Sequence, residues 1–165
     1  MTIKRIITGF LRENCYIISD KQKAIVIDPG ADAKLILDAC KDLDIVEVLV
    51  THHHFDHIGA LPEVLSKYNL NENSKSKYFN YEVINTPGHT GDSKSFYFKD
   101  YNVMFTGDFI FKGTIGRTDL PTGSIHDMKE SLELISKYPK DTIIYPGHGN
   151  ASTIGDEINR YKKAQ

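Results

Sequence analysis

The segment THHHFDH, residues 51–57, places four candidate metal ligands within six residues. Imidazole nitrogens and carboxylate oxygens are the ligands that suit zinc, iron or manganese. Because side chains two positions apart in an extended segment point the same way, His52 and His54 are expected to converge on one point. Asp56 and His57 are adjacent, so they point differently and can serve a second point. So many clustered polar groups are costly to hold together without an ion, and the segment therefore predicts a metal site.

Three later segments share one design, in which an apolar strand ends at a glycine that precedes a His or an Asp. They are VINTPGH (83–89), VMFTGD (103–108) and IIYPGH (143–148), and they supply the candidates His89, Asp108 and His148. Glycine permits a tight turn and a close approach of the backbone at each of these points. A lone PGH would be interpreted as a turn histidine, but the ordered set of four segments favours one metal centre at the carboxyl ends of strands.

Two histidines remain outside this ligand set. His53 is expected to be exposed or to support a ligand from behind, because it points away from its two neighbours. His126 opens a predicted helix and is expected to lie at the surface.

The elements that must position these ligands alternate between strands and helices. Strands are predicted over 3–8, 14–19, 23–27, 46–50, 78–86, 94–99, 102–106 and 142–145. Helices are predicted after an N-cap at Asp32 (with Leu35, Ile36, Ala39 and Leu43 on one face), over 58–68, over 125–138 behind Ser124 and Asp127, and after Thr153 and Asp156. A polar loop is predicted over 69–77. This order predicts one α+β domain over residues 1–165, with two sheets packed face to face and helices outside.

Composition narrows the range of partners. The formal net charge of −2 gives no electrostatic case for nucleic acid or for an anionic membrane, so we expect neither as a partner. The amino-terminal sequence has no signal-peptide pattern and no apolar run approaches membrane-spanning length, which predicts a cytoplasmic protein.

Cys15 and Cys40 are expected to be buried or neutral thiols, because no basic or metal-binding motif flanks them.

These motifs resemble the metallo-β-lactamase superfamily. THHHFDH, PGHT, TGD and PGHG carry the resemblance, and NCYIISD, VIDPGA, FTGDFIF, GTIGRTDLPTG and YPGHGNASTIGDE are similar to its glyoxalase II and small hydroxyacylglutathione-hydrolase-like branch. The resemblance covers nearly the whole chain and implies an αββα four-layer sandwich. It also implies a shortening between residues 58 and 88, where family members usually have an extra strand and a longer insertion.

The same resemblance implies two divalent metal ions, most readily zinc, with iron or manganese as alternatives that these ligand types also accept. It assigns the first ion to His52, His54 and His89, the second to Asp56, His57 and His148, and a bridging role to Asp108.

Two adjacent ions can lower the pKa of a bridging water toward about 7, and the resulting metal-bound hydroxide can attack a carbonyl carbon. Asp56 is the catalytic candidate, because it would bind its ion and help to orient the hydroxide. A small-molecule thioester or related acyl compound fits this chemistry, since a thiolate leaving group needs little protonation. Arg117, in the glycine-rich segment 113–123, is expected to bind a substrate carboxylate, to pair with Asp119 and brace the loop, or to do both.

Two alternatives to this hydrolase stay open. The first is a persulfide dioxygenase with one iron, a group that shares a closely similar GRTD segment. The second is a weakly catalytic metal-binding module, which the shortened 58–88 segment suggests. The sequence predicts no particular oligomeric state.

Overall fold

The computed structural model describes residues 1–163 of the chain. The chain forms two compact units, one over Met1–Phe79 and the other beginning at Asn80. Each unit has its own sheet and its own helices. The expectation of one domain over residues 1–165 stays a prediction.

The first unit is built on a four-stranded sheet whose strands are adjacent in chain order. They are β1 (Thr2–Thr8), β2 (Glu13–Asp20), β3 (Lys23–Ile27) and β4 (Asp44–Leu49). β1, β2 and β3 are antiparallel neighbours, whereas β4 pairs with β3 in parallel. All four predicted strands are therefore present, with small shifts at their ends. The carboxyl ends of β3 and β4 lie at the same edge of the sheet, and residues 51–57, the predicted ligand segment, follow β4 at this edge.

The first helix of this unit, α1 (Ala33–Ala39), corrects two predictions. Asp32 does not act as a conventional N-cap, because its backbone is left-handed (φ 52) and its carboxylate accepts a hydrogen bond from the Gly9 N–H at 2.8 Å. Leu35 is 49% exposed, whereas Ile36 is fully buried. The buried stripe runs through Ile36, Cys40 and Leu43, which is one residue out of phase with Leu35.

The predicted helix over 58–68 is wrong as a single element. The chain instead forms a short α2 (Phe55–Ile58) and then α3 (Leu61–Tyr68). Pro62 lies in the first turn of α3, where its missing N–H costs nothing. In a continuous helix that N–H would have to reach the Ile58 carbonyl, and the proline ring would clash there, so the helix restarts.

Residues 69–77 form the predicted loop, which is attached to β4. Glu72 makes an isolated parallel bridge to Val48. Glu47, inside β4, is fully buried, and its Oε1 accepts hydrogen bonds from the backbone N–H and the hydroxyl of Ser76. The loop therefore satisfies the carboxylate in the buried part of this strand.

The second unit contains a five-stranded sheet and a small separate hairpin. The sheet strands are β5 (Glu82–Asn85), β6 (Lys94–Phe98), β7 (Val103–Gly107), β10 (Ile143–Pro146) and β11 (Ser152–Thr153), in the order β11-β10-β7-β6-β5. The hairpin consists of β8 (Ile110–Phe111) and β9 (Thr114–Ile115). Because β6 is antiparallel to both neighbours and β7 pairs with β10 in parallel, β5, β7 and β10 run in one direction.

Several boundaries in this unit differ from the predictions. The predicted strand 78–86 reduces to β5, because Tyr81 packs on the rings of Phe96 and Phe98 (centroid distances 5.9 and 5.1 Å) ahead of the paired residues. Helix α4 (Ile125–Ile135) ends before residue 138, and α5 occupies Ile154–Lys163. The strands β8, β9 and β11 were not predicted, since two residues carry no periodicity.

The predicted helix starts of the second unit are confirmed by their hydrogen bonds. The Ser124 hydroxyl accepts from the Asp127 N–H, and the Thr153 hydroxyl accepts from the Asp156 N–H, each at 3.2 Å.

Gly88, before the candidate ligand His89, has φ 143, and a Cβ there would lie 2.6 Å from the Met128 Cα. Only glycine fits between this turn and α4.

Over residues 1–163, no helix has the length and apolar character needed to cross a bilayer.

Both cysteines are buried thiols, and we expect them to be unreactive in the folded protein. Burial raises the pKa of Cys15 well above its ordinary value and raises the pKa of Cys40 to about 11. The thiolate is the reactive form, so a disulfide reagent at pH 8 should label neither residue within minutes. The same reagent should label two thiols per chain in guanidinium chloride. Rapid labelling of the native protein would contradict this expectation.

Candidate functional site

The first unit anchors its ligand segment through Asp28, which follows β3. Asp28 lies beside Thr51 because β3 and β4 are parallel and end at the same edge. Its carboxylate accepts hydrogen bonds from the Thr51 N–H at 2.7 Å and from the Thr51 hydroxyl at 2.6 Å. Both residues are buried, so these bonds fix the backbone where the ligand segment begins.

Asp28 also orients His57, which is fully buried. The Nδ1 atom of His57 lies 2.9 Å from the Asp28 Oδ2. A carboxylate only accepts hydrogen bonds, so Nδ1 carries the proton, and Nε2 of the neutral ring presents its lone pair on the opposite side. A carboxylate behind an imidazole is the usual arrangement for a metal-ligating histidine, because it sets the tautomer and raises the basicity of the ring.

His52 and His54 present their ring nitrogens to a common region, as the alternation of the extended segment predicts. His52 Nε2 lies 3.2 Å from His54 Nδ1, and Thr51 Oγ1 lies 3.1 Å from His52 Nδ1. Two ligands of one tetrahedral zinc ion, each about 2.1 Å from it, lie about 3.4 Å apart. The spacing of this pair therefore fits a shared cation.

The adjacent pair Asp56 and His57 has a similar spacing. Asp56 Oδ2 lies 3.7 Å from His57 Nε2, which is the nitrogen that faces away from Asp28. The Asp56 side chain is 14% exposed, so it stands between the buried imidazole and solvent. A carboxylate in this position can both bind a cation and contact a water molecule.

The second unit brings three ligand candidates to one sheet edge. β5, β7 and β10 run in one direction, and His89, Asp108 and His148 each follow one of them. The ends of β7 and β10 are tied by a hydrogen bond from the Gly147 N–H to the Gly107 carbonyl at 2.9 Å, and Gly107 has φ 50. Glycine at this position accommodates the left-handed turn that presents Asp108.

A single oxygen of Asp108 lies close to both histidines of this unit. Asp108 Oδ2 is 3.6 Å from His89 Nε2 and 3.5 Å from His148 Nε2. Both distances match the separation of two ligands on one cation. A carboxylate placed between two imidazoles from different strands fits the shared role that the sequence resemblance gives to Asp108.

His89 is oriented by backbone rather than by a carboxylate. Its Nδ1 donates a hydrogen bond to the Arg117 carbonyl at 2.8 Å, which leaves the Nε2 lone pair toward Asp108. Gly116 makes this contact possible, because a Cβ there would lie 1.9 Å from the Asp108 carbonyl oxygen. Residues 108–117 thus carry one candidate ligand, Asp108, and support a second, His89.

Sequence reasoning missed the buried acidic group behind His57. Neither Asp28 nor Glu13, which lies 1% exposed at the start of β2, was among the predicted site residues. Glu13 Oε1 lies 3.9 Å from His57 Nδ1, and the Thr8 hydroxyl donates to Oε2 at 2.7 Å. Burial raises the pKa of Glu13 to about 9, against an opposing effect of His57. Asp28 lies beside Thr51 because β3 and β4 pair in parallel. Periodicity does not show which strands pair, so the sequence carried no direct signal for this contact.

The two histidines outside the ligand set lie at the surface. The His53 side chain is 44% exposed, and its Nε2 lies 3.0 Å from Glu72. The His126 side chain is 78% exposed and lies 3.5 Å from Glu130. Both positions agree with the sequence prediction.

Arg117 is braced by Asp119. Its Nε and Nη2 donate to the two carboxylate oxygens at 2.7 and 2.8 Å, and both side chains are exposed. This ion pair lowers the pKa of Asp119 to about 2. The pairing alternative is therefore present in the structure, and substrate binding by Arg117 stays a prediction.

Known proteins resemble this chain over nearly all of its length. A hydroxyacylglutathione hydrolase of Haemophilus influenzae is 31% identical over an alignment 201 positions long, which covers 95% of each chain. The B3 metallo-β-lactamase BLEG-1 has a TM-score of 0.89 at 30% identity and covers 96% of this chain and 97% of its own. TTHA1623, solved in a di-iron-bound form, has a TM-score of 0.82 at 26% identity, with 92% and 95% coverage.

Substitution of Asp28 tests whether the carboxylate behind His57 supports metal binding. Asp28→Asn should weaken the affinity for Zn²⁺ by about 10- to 100-fold, the usual effect of losing a partner that orients a ligating histidine. Competition with a chromophoric chelator measures this change. The exposed Asp20 on β2 provides a matched control, and Asp20→Asn should bind Zn²⁺ as the native chain does. Equal affinities for all three proteins would show that Asp28 has no such role.

The family model of the metallo-beta-lactamase superfamily matches residues 8–72 and 79–148, with a break inside the segment that was predicted to be shortened. The alignment with the Haemophilus influenzae relative is longer than this 165-residue chain, so that protein contains residues that have no counterpart here. The structural likenesses confirm the predicted α+β class and metallo-β-lactamase fold. The chain belongs to the metallo-β-lactamase superfamily.

Proposed function

We propose that this chain is a metal-dependent hydrolase that cleaves a thioester or a related acyl compound. The observation that carries the proposal is the place of Asp108, whose Oδ2 lies within 3.6 Å of imidazole nitrogens from two different strands. Such an oxygen suits a carboxylate shared by two cations. The Haemophilus influenzae relative is a hydroxyacylglutathione hydrolase, which favours the thioester among the substrates that this superfamily's chemistry could serve.

The proposed ligands are the seven residues that the sequence motifs predict. One divalent ion would be held by His52, His54 and His89, a second by Asp56, His57 and His148, with Asp108 shared between them. Within each unit the spacing of 3.2–3.7 Å between neighbouring donor atoms supports this assignment. Imidazole and carboxylate ligands suit zinc, and they also accept iron, the metal bound in TTHA1623.

When bound, the two ions would lower the pKa of a water molecule and polarise the substrate carbonyl. The chain's own residues would then position the reactants. Asp56 is partly exposed beside the buried His57, so its carboxylate can accept a hydrogen bond from the attacking water and orient it. Asp28 keeps the proton on Nδ1 of His57 and so holds that ring in one tautomer. The thiolate leaving group needs little protonation, and the proposal requires no general acid.

Two exposed aromatic rings stand next to these ligands in the first unit. Phe55, between His54 and Asp56, is 65% exposed, and Phe10, in the turn after β1, is 85% exposed. Their rings stack with a centroid distance of 6.4 Å. Two stacked apolar rings at this place suit contact with the apolar part of an acyl substrate.

Metal content and hydrolysis of S-lactoylglutathione together test the proposal. The purified protein should bind two divalent ions per chain and release glutathione from this thioester. Asp56→Asn should lower kcat by about 100-fold or more, because it removes both a ligand and the group that orients the water. His53→Ala, one residue away from two ligands and exposed, should retain kcat within about twofold and serves as the control.

Other results would support the alternatives. Consumption of oxygen with glutathione persulfide by protein that holds one iron per chain would favour the dioxygenase. Full metal loading without turnover of a thioester panel would favour a binding module. Either outcome contradicts the proposed hydrolase.

We further propose that Arg117 binds a carboxylate of the substrate. The exposed guanidinium of Arg117 already binds the two carboxylate oxygens of Asp119. It can therefore exchange this carboxylate for one of the substrate. Arg117→Ala should raise the KM for S-lactoylglutathione about tenfold with little change in kcat, the effect of losing a charged hydrogen bond. The KM for an uncharged lactoyl thioester should stay the same. Lys112→Ala removes a nearby exposed cation and is the control; an equal rise in KM would indicate a nonspecific charge effect.

A further inference from the structure

We propose that Glu157 on α5 is a positioning residue that holds the metal ligands Asp108 and His89 in place through the β8–β9 hairpin. This inference rests on the proposed function, because it takes both residues as ligands. All of its contacts lie within the second unit.

Glu157 is a carboxylate in an apolar stripe. The residues on the buried face of α5 are Ile154, Glu157, Ile158 and Tyr161, which have the spacing of one helix face. Glu157 is only 3% exposed. Burial of a charge is costly unless it is paired, so an apolar residue would serve helix packing better at this position.

The carboxylate is fully engaged by neighbouring groups. Its Oε2 accepts from the Gly113 N–H at 2.7 Å and lies 3.3 Å from Arg160 Nε, and its Oε1 accepts from the Ser152 hydroxyl at 2.5 Å. Of these contacts, the one to Gly113 reaches the turn of the β8–β9 hairpin. Glu157 therefore ties the C-terminal helix to a segment that starts at a ligand.

This hydrogen bond restrains the turn of the hairpin, whereas the buried Ile110 anchors its first strand. Each strand has two residues, and an isolated two-stranded hairpin is marginally stable. Gly113 has φ 90, and a Cβ at this position would meet no other atom within 4 Å, so the turn gains nothing from side-chain packing. Beside this hydrogen bond lies an open pocket of about 210 Å³ lined by residues of the hairpin and of α5, among them Ile110, Thr114, Ile115, Arg160 and Tyr161. The carboxylate therefore links the turn to α5 at the pocket, while Ile110 and Ile115 pack in the core of the unit.

The two ends of the hairpin determine the geometry of both ligands. Its amino end follows Asp108 after one residue, and the Gly116 N–H after its carboxyl end donates to the Phe109 carbonyl at 3.1 Å. The next residue, Arg117, supplies the carbonyl that accepts from His89 Nδ1. A shift of the hairpin would move the support of His89 and the backbone of Asp108 together.

The sharpest test replaces the carboxylate by an apolar side chain of similar size. Glu157→Leu completes the apolar stripe of α5, so the melting temperature of the metal-free protein should not fall. It removes the bond to Gly113, so the affinity for Zn²⁺ should weaken about tenfold or more, and the visible absorption band of the Co²⁺-substituted protein should shift. Glu157→Gln, whose amide oxygen can still accept from Gly113, should restore most of the affinity.

The exposed Glu133 on α4 supplies the control, and Glu133→Gln should behave as the native chain does. Glu157→Asp keeps the charge but shortens the side chain, and it replaces the leucine variant in the comparison if that variant does not fold. Native affinity and an unchanged Co²⁺ band in Glu157→Leu would overturn the inference while leaving the proposed function intact. A loss of affinity that only follows a fall in melting temperature would also overturn it. Failure of the native chain to bind Zn²⁺ or Co²⁺ would overturn both proposals.

Discussion

This structure depends on one constraint, the close spacing of polar side chains at one edge of the sheet in each unit. Neighbouring imidazole nitrogens and carboxylate oxygens lie there only 3.2–3.7 Å apart. Clustered, partly buried polar groups are costly to desolvate, and a shared cation removes much of that cost. Before an ion binds, this help is absent, so the backbone itself must hold the groups together. Each unit does this with strands that run in one direction and end at one edge, so that a short turn after each strand delivers a side chain.

The two units orient their imidazoles by different means. In the first unit the Asp28 carboxylate fixes the tautomer of His57 and also fastens the start of the ligand segment at Thr51. In the second unit the Arg117 carbonyl fixes the tautomer of His89. A carboxylate adds negative charge and basicity behind its ring, whereas a carbonyl sets direction with less charge. The electron density that each imidazole can offer a cation is therefore set by residues other than the ligands.

The ligand candidates and most strands could be predicted from sequence because they depend on local spacing. Alternation places His52 and His54 together, and a glycine before His89, Asp108 and His148 marks the ends of strands. Features that depend on pairing between distant strands could not be found this way. Asp28 acquires its role only because β3 pairs with β4 in parallel, and the β8–β9 hairpin is too short to show a period. The break before α3 was within reach, since Pro62 cannot continue a helix.

The segment from Asp108 to Arg117 contains residues proposed for metal binding and a residue proposed for substrate binding. It contributes Asp108, the carboxylate that we propose is shared between two ions, supports His89 through a carbonyl, and carries the guanidinium that is the candidate for substrate binding. Its own secondary structure is too small to be rigid, so its order comes from outside, from the buried Phe109 and Ile110 and from Glu157. Because one loosely built segment carries all three roles, changes in its anchoring would alter metal affinity and substrate recognition together. This coupling favours a buried, fully hydrogen-bonded carboxylate on α5 over an apolar residue, despite the cost of burying it.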